Sequence, residues 1–449
     1  MTALGRNFAR MSLPAKLLLA VIPVLVVVTL GLIVGLVLVA PIAILFVDEN
    51  LPLFRFILAA TAVLLMTVPT AFLIIYMEMK IIAQMNLRIG PDRVGPFGSA
   101  LSVVHGLKVL MKEDFTPTGA DRIVFTWAPV VTFLASVMTL LVIPFAPGLF
   151  GADLNIGLLY FFAIGGLSVV GLLMGGWASF NKYSLLGGIR SAAQAVSYEI
   201  PLVLSVVGLI LLAGSMSLNT LVENQSGSFL DWYVWQQPLA VLIFMIAATA
   251  EVNRTPFDLT EADSEIVAGF ATEYSGMRFG FFFFAEYVNV FIISALAVTL
   301  FFGGWNAPFD WPFPVELQLD PFGYGLAGVI ALLVIPVIGT LVFAAPFWLA
   351  RSGRPGWEAL VIGFVLFNLV AVAAVIGWAF VSFDWVVGVF WFMAKAYAFV
   401  FFFVWMRATL PRIRIDQLMN FAWKWLMELA FLNIFITAGA ILLIEYLRS

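Results

Sequence analysis

Carboxylates crowd one stretch of this 449-residue sequence. From Glu251 it reads EVNRTPFDLTEADSEIVAGFATEYSGMRF, which sets Glu251, Asp258, Glu261, Asp263, Glu265 and Glu273 against only Arg254 and Arg278. The run Thr255-Pro256-Phe257-Asp258 predicts a helix start, with a Thr cap, Pro in the first position and an acid in the third. A helix running on from there would place Asp258, Glu261 and Glu265 on one face at i, i+3, i+7 spacing. Like charges that close raise one another's pKa, so part of the set can hold protons near neutral pH and pass them on. The plainer alternative is a solvated acidic loop whose acids sit at the positive end of a helix, worth roughly 0.3–1 kcal/mol each. Spacing alone leaves both open.

Three further ionisable groups stand inside apolar runs: Glu199 in SYEIP, Glu286 in FFFFAEYVN and Lys395 in FMAKAYAF. A charge at mid-bilayer costs at least roughly 2.5–3.5 kcal/mol, so it faces a partner, a water cavity or an ion path. Glu286 and Lys395 are candidates for an interhelical pair; Glu199 reads as functional.

The elements that must position these groups are membrane helices. The chain is 63% hydrophobic and only 11% charged, well under the roughly 25% charge of a soluble domain. Apolar segments fall at about 17–46, 54–77, 123–146, 157–179, 190–213, 237–252, 277–302, 325–350, 357–382, 387–409 and 424–447, each long enough to cross or nearly cross roughly 30 Å of hydrocarbon as a helix. The fold class is thus all-α and polytopic, with about eleven transmembrane helices; the alternating ten-residue pattern of a β-barrel is missing. The first run extends from Leu17 to Val47 without a charge, far beyond the core of a signal peptide, and predicts a retained helix. With the N-terminus on the cytoplasmic side, 19 of the 22 Lys and Arg residues fall in cytoplasmic segments, as the positive-inside rule requires. The opposite loops are acidic, with Asp48, Glu49, Asp153, Glu223, Asp231, Asp310, Glu316, Asp320 and Asp384.

The absence of cysteine excludes disulfides, thiol chemistry and iron–sulfur ligation by this chain. A lone histidine, His105, argues against a His-based metal centre. Any redox cofactor therefore belongs to a partner. A second long cytoplasmic segment, about 78–122, carries Gly-Pro pairs at 90–91 and 95–96 that force turns. From Phe97 to Met111 apolar residues alternate with Ser, His and Lys, which suits a helix in the interface plane. Such a helix could border an opening for a lipid-soluble substrate, dock a partner or simply anchor the loop.

Six stretches carry a resemblance: LRIGPDRVGPFG, LMKED, GWASFNKYSLLGGIRSAAQAVSYEIP, the acidic stretch from Glu251, FFFAEY, and WMRATLPRIRIDQLMNFAWK. With them the chain resembles the quinone-site membrane subunit of respiratory complex I, the H subunit (or subunit 1) of NADH:quinone oxidoreductase. The resemblance covers most of 54–302 and 387–447. It implies a subunit, not catalytic alone, that walls the quinone chamber and opens a carboxylate path linking quinone reduction to proton pumping. It implies quinone as substrate, no cofactor on this chain, and FMN and iron–sulfur clusters in partner subunits. The implied partners are the peripheral quinone-site subunits, neighbouring membrane subunits and lipid, and the implied location is a bacterial cytoplasmic (inner) membrane. On matching positions it marks Glu78, Glu199, Glu251, Asp258, Glu261, Asp263, Glu265, Glu273 and Glu286 as acids of the chamber and path, and Arg88, Arg190, Arg254 and Arg278 as organising cations. The family has eight helices and starts outside, which makes this chain eight plus three: an extra N-terminal helix in 1–50, core helices in 51–302, an inserted pair in 303–386, and the last two core helices in 387–449. It departs from the family at Met79, where Arg is usual, at His105, where Asp is usual, at Leu101-Ser102 for Gln-Pro, and at Asp263 for Glu. Alternatives are the equivalent subunit of a complex fed by another donor, such as an F420-type dehydrogenase or a membrane-bound hydrogenase, and a secondary transporter, although inverted repeats are not visible.

Overall fold

The computed structural model describes residues 52–95, 98–258, 268–309 and 384–448. Every regular element among the described residues is helical. In chain order the main ones are α1 (Pro52–Met85), α2 (Leu101–Leu110), α3 (Arg122–Thr139), α4 (Gly157–Ala178), α5 (Lys182–Ala213), α6 (Pro238–Glu251), α7 (Gly276–Phe301), α8 (Asp384–Thr409), α9 (Ile415–Phe421) and α10 (Met427–Arg448). A π-helical turn, Ala422–Leu426, joins α9 to α10 without a break. Short helical turns at Leu218–Glu223 and Tyr233–Gln236 lie between α5 and α6.

Seven stretches among the described residues are long and apolar enough to cross a membrane, and α6 is a shorter apolar helix of 14 residues. The chain is therefore an all-α multi-pass membrane protein. Each of the eight expected core segments, from 54–77 to 424–447, contains a described helix, although that of 123–146 ends at Val142; the expected helices at 17–46, 325–350 and 357–382 lie outside the described residues.

Local chemistry sets the helix ends next to the charged groups. The Asn181 side chain caps α5 by accepting from the Tyr183 N–H at 2.9 Å. Gly214 closes it at φ +70°, with its N–H on the Ile210 carbonyl. Asp121 caps α3 through the N–H groups of Ile123 and Val124, at 3.2 and 3.4 Å. Pro201 stands inside α5, two residues after Glu199. Lacking an N–H, it leaves the Ser197 carbonyl without its helical donor and loosens the ladder beside that acid.

Within lipid, apolar burial does not drive helices together, so packing relies on close approach at small residues. A Cβ added at Gly171 of α4 would stand 2.2 Å from Thr132 Oγ1 and 2.9 Å from the Thr132 backbone nitrogen of α3. One at Gly176 would stand 3.0 Å from the Gly188 Cα of α5. Helix α7 is the most enclosed of the seven, 72% of its apolar window being buried against 17% for the C-terminal span. The interior therefore lies around α7, the helix that carries Glu286.

Helix α2 buries Ser102 and turns Val103, Val104, Leu107 and Leu110 outward, with His105 exposed among them. It rests on α1 through Gly106 against the Phe72 ring and on α7 through Val109 against Gly280. An apolar outer face suits a helix lying in the membrane interface.

Gly171→Val is expected to destabilise the α3–α4 contact by about 1–3 kcal/mol, because the obstacles include backbone that cannot rotate away. The check is the melting temperature of the solubilised protein, with Gly165→Ala as control, where an added Cβ meets nothing within 4 Å.

Candidate functional site

The site is built around an arginine with almost no contact with solvent. Arg254 is 2% exposed, just beyond the end of α6. Its Nη1 lies 3.2 Å from Glu78 Oε2 of α1, and its Nη2 lies 3.3 Å from Glu286 Oε1 of α7. The guanidinium also sits 4.7 Å over the Tyr287 ring. Arg407, in the last turn of α8, pairs with the other oxygen of Glu78. The four side chains alternate in sign, Arg407–Glu78–Arg254–Glu286, and join four parts of the fold. Burial alone would weaken the Arg254 cation, but the Glu78 and Glu286 carboxylates more than offset it and raise its pKa above the ordinary arginine value.

The turn presenting Arg254 is fixed from both sides. Asn253 takes a left-handed φ of 52°, and the Phe257 N–H closes on the Arg254 carbonyl at 2.8 Å. On one side the Gln194 side chain of α5, fully buried, reaches three acceptors through Nε2: the carbonyls of Ala250 and Phe257 and Asn253 Oδ1, at 2.7–3.0 Å. On the other, Arg412 Nη2 meets Asp258 Oδ2 at 3.1 Å, and the Ile413 N–H donates to the Pro256 carbonyl at 3.0 Å.

These contacts correct the expectation of a helix start at Thr255. Residues 255–258 form a turn, because the Pro256 carbonyl and the Asp258 carboxylate are both committed to the segment between α8 and α9. A second correction concerns the expected Glu286–Lys395 pair. Lys395 Nζ instead donates to the carbonyls of Phe302 and Asn306, at 2.7 and 2.8 Å, and lies 4.5 Å over the Trp232 ring. Carbonyls at a helix C-terminus lack helical donors and attract a cation, whereas Glu286 stands roughly 24 Å back along α7 at 1.5 Å per residue.

Glu199 and Glu251 are treated differently from the paired acids. A cavity with about 40 Å³ open to water centres is lined by both, together with Ser136, Thr139, Ser168 and Asn289. A second, with about 50 Å³, is lined by Glu251, Glu286, Ser168 and Asn289 among others. Each has room for a few waters. Glu251 Oε2 is buried and has no hydrogen-bond partner among the described residues, although Glu251 borders both cavities. Glu199, Glu251 and Glu286 thereby line two cavities that share wall residues, and Glu286 also pairs with Arg254.

The remaining residues marked in the sequence separate. Glu273 accepts from Asn181 Nδ2 at 2.6 Å, and Arg278 pairs with Asp114 at 3.2 Å, donates to Thr116 at 2.8 Å and covers the Phe125 ring. Glu273 thus ties the chain before α7 to the start of α5, and Arg278 ties α7 to the chain after α2, both apart from the Arg254 cluster. Arg88 is exposed in the turn after α1, and Arg190 is half-buried on α5. Glu261, Asp263 and Glu265 lie outside the described residues. Met79 packs against the core instead of presenting a charge.

Sequence reasoning does not select Arg407, Arg412 or Gln194, nor Ser168 and Asn289 on the cavity walls. Arg407 and Arg412 carry a signal: they flank the turn of WMRATLPRIR, where a basic residue reads equally well as a topology charge.

Alternating charges that adjoin carboxylates lining water-sized cavities, on a scaffold of membrane helices, define a charge-handling membrane protein. The chain belongs to the NADH dehydrogenase family, whose pattern it matches over residues 57–438. It is similar to the NADH-quinone oxidoreductase H subunit of Brevibacillus brevis, 41% identical over 85% of this chain and 92% of the relative. It is likewise similar to the H subunit of Geobacillus kaustophilus, 43% identical over 84% and 91%, and to that of Dehalococcoides mccartyi, 40% identical over 83% of each.

Arg254→Met is expected to destabilise the fold by about 3–5 kcal/mol, since it strands Glu78 and Glu286 without their shared cation. Arg254→Met/Glu78→Gln/Glu286→Gln should recover most of that loss. Thermal unfolding of the solubilised protein measures both.

Proposed function

We propose that this chain is the membrane subunit of a proton-pumping NADH:quinone oxidoreductase in a bacterial cytoplasmic membrane, with its N-terminus on the cytoplasmic side. In this reading it walls the chamber through which quinone enters and carries the acidic path that couples quinone reduction to proton translocation. Family membership supports the complex. The observation that carries the path is Glu251, a buried carboxylate whose Oε2 has no partner, between two water-sized cavities that reach Glu199 on one side and Glu286 on the other.

Quinone reduction takes up protons and builds negative charge as electrons arrive. Carboxylates that line a water-sized cavity can answer such a change by exchanging protons with water. Glu78 and Asp258, each held by an arginine, keep the entrance in place, while Glu199, Glu251 and Glu286, which line the cavities, exchange. The signal reaches distant subunits only through a conformational equilibrium whose states differ in their interaction with these charges. Glu261, Asp263 and Glu265 belong to the same acidic stretch of sequence and, in this reading, to the same path. With no cysteine in this chain, the iron–sulfur clusters and FMN reside in peripheral partner subunits.

Glu251→Gln and Glu199→Gln, in the assembled complex in proteoliposomes, should each lower quinone-coupled proton transport by about tenfold or more, one proton-carrying site being worth that much of a barrier. Wild-type pumping and turnover in both, with normal assembly, would remove the path from this reading.

A further inference from the structure

The two cavities share four lining residues: Ser168 of α4, Glu251 and Val252 at the end of α6, and Asn289 of α7. Of these, Ser168 and Asn289 stand out by how little holds them. Neighbouring hydroxyls on the same walls are spent within their own helix: Thr132 donates to the Ala128 carbonyl, Ser136 to Thr132 and Thr139 to Ser136, at 2.7–3.1 Å. The hydroxyl of Ser168 and the amide of Asn289 make no hydrogen bond to any described residue. Both are half-buried in the interior of a membrane protein, where an amide or hydroxyl without a partner is costly.

Asn289 stands three residues after Glu286 and so on the same face of α7. A protein water needs two to four polar partners. At the junction of the cavities Glu251 supplies oxygens, Asn289 two donors and an acceptor, and Ser168 one donor and two lone pairs; Val252 supplies none. These three side chains form a complete set of partners for one or two waters, and an apolar residue at 289 would leave the set short.

Resting on the carboxylate-path reading above, we propose that Asn289, together with Ser168, positions the water through which a proton passes between Glu251 and Glu286. As a proton released by one carboxylic acid enters the water, another leaves that water for the second carboxylate, so the water is regenerated and only charge has moved. Asn289 exchanges no proton itself. Being neutral, it lets water reside between two acids without adding a third charge, and Asn289 is thus a positioning residue.

The test uses the whole complex in proteoliposomes, with Asn289→Leu beside Glu251→Gln and Glu199→Gln. Asn289→Leu should lower turnover and proton transport by about tenfold, as for one lost hydrogen-bonded link on a barrier, with KM for quinone unchanged. Asn289→Ser, which keeps a donor and an acceptor, should retain most of the activity. Ser168→Ala/Asn289→Leu should be no worse than Asn289→Leu alone, because both act on one water. Should Asn289→Leu not assemble, Asn289→Val, which is smaller, carries the same expectation. Wild-type turnover and pumping in the apolar variant, while Glu251→Gln is impaired, overturns the role of Asn289 and leaves the path standing. A raised KM with unchanged kcat overturns it in favour of quinone binding. Wild-type behaviour in Glu251→Gln and Glu199→Gln as well overturns the path and this proposal with it.

Discussion

An arginine cannot shed its proton to escape a poor solvent. Placed 2% exposed among membrane helices, Arg254 forces its surroundings to answer its charge, and much of the interior follows from that. Two carboxylates from different helices, Glu78 and Glu286, meet its two terminal nitrogens, and the Tyr287 ring covers its face. Two acids on one cation would leave an excess of negative charge, and Arg407 restores the balance from α8. Breaking such a set by removing one member costs far more than its net contribution to stability. It therefore fixes the relative positions of α1, α7, the end of α8 and the turn after α6 more firmly than apolar packing in lipid could.

Glu251 stands outside this set of ion pairs. It lies three residues before Arg254 and belongs to the same acidic stretch, yet its Oε2 meets only cavity. Pairing and cavity lining thus separate the acids. Those bound to arginine are tied to their partner's element. Glu199 and Glu251 line water-sized cavities instead. The boundary between the two kinds runs through Glu286, which touches Arg254 on one side and lines a cavity on the other.

How much of this is legible in the sequence depends on the range of the interaction. Hydropathy locates the seven long apolar helices among the described residues and the shorter α6, because each must satisfy its backbone within itself and present an apolar surface, both local properties. The costly ions inside apolar runs are also visible, and Glu199 and Glu286 do border cavities. Pairing is not visible. Lys395 and Glu286 look like partners because both stand in apolar runs, but helix ends offer carbonyls that need no opposite charge, and Lys395 takes those. Arg407 and Arg412 are hidden by their location at a cytoplasmic helix end, where basic residues occur for topology alone. The helix start at Thr255 fails for a related reason: cap chemistry is local, while the Pro256 carbonyl and Asp258 carboxylate are claimed by residues more than 150 positions away. Gln194 carries no signature at all until the turn it clamps is seen.

The two arginines also connect parts that the sequence keeps apart. Arg407 holds Glu78, the partner of Arg254, and Arg412 holds Asp258, four residues beyond Arg254. Both come from the end of α8 and the short segment leading to α9, whose Ile413 also bonds the turn's backbone. The turn from Arg254 to Asp258 is consequently gripped at both ends by one piece of chain, with Gln194 of α5 closing its inner side. A displacement of that segment shifts the counter-charges of Arg254 and Asp258 together, and α10 follows through the unbroken π-turn. The counter-charges of Arg254 and Asp258 and the placement of the C-terminal helices thus rest on one piece of chain.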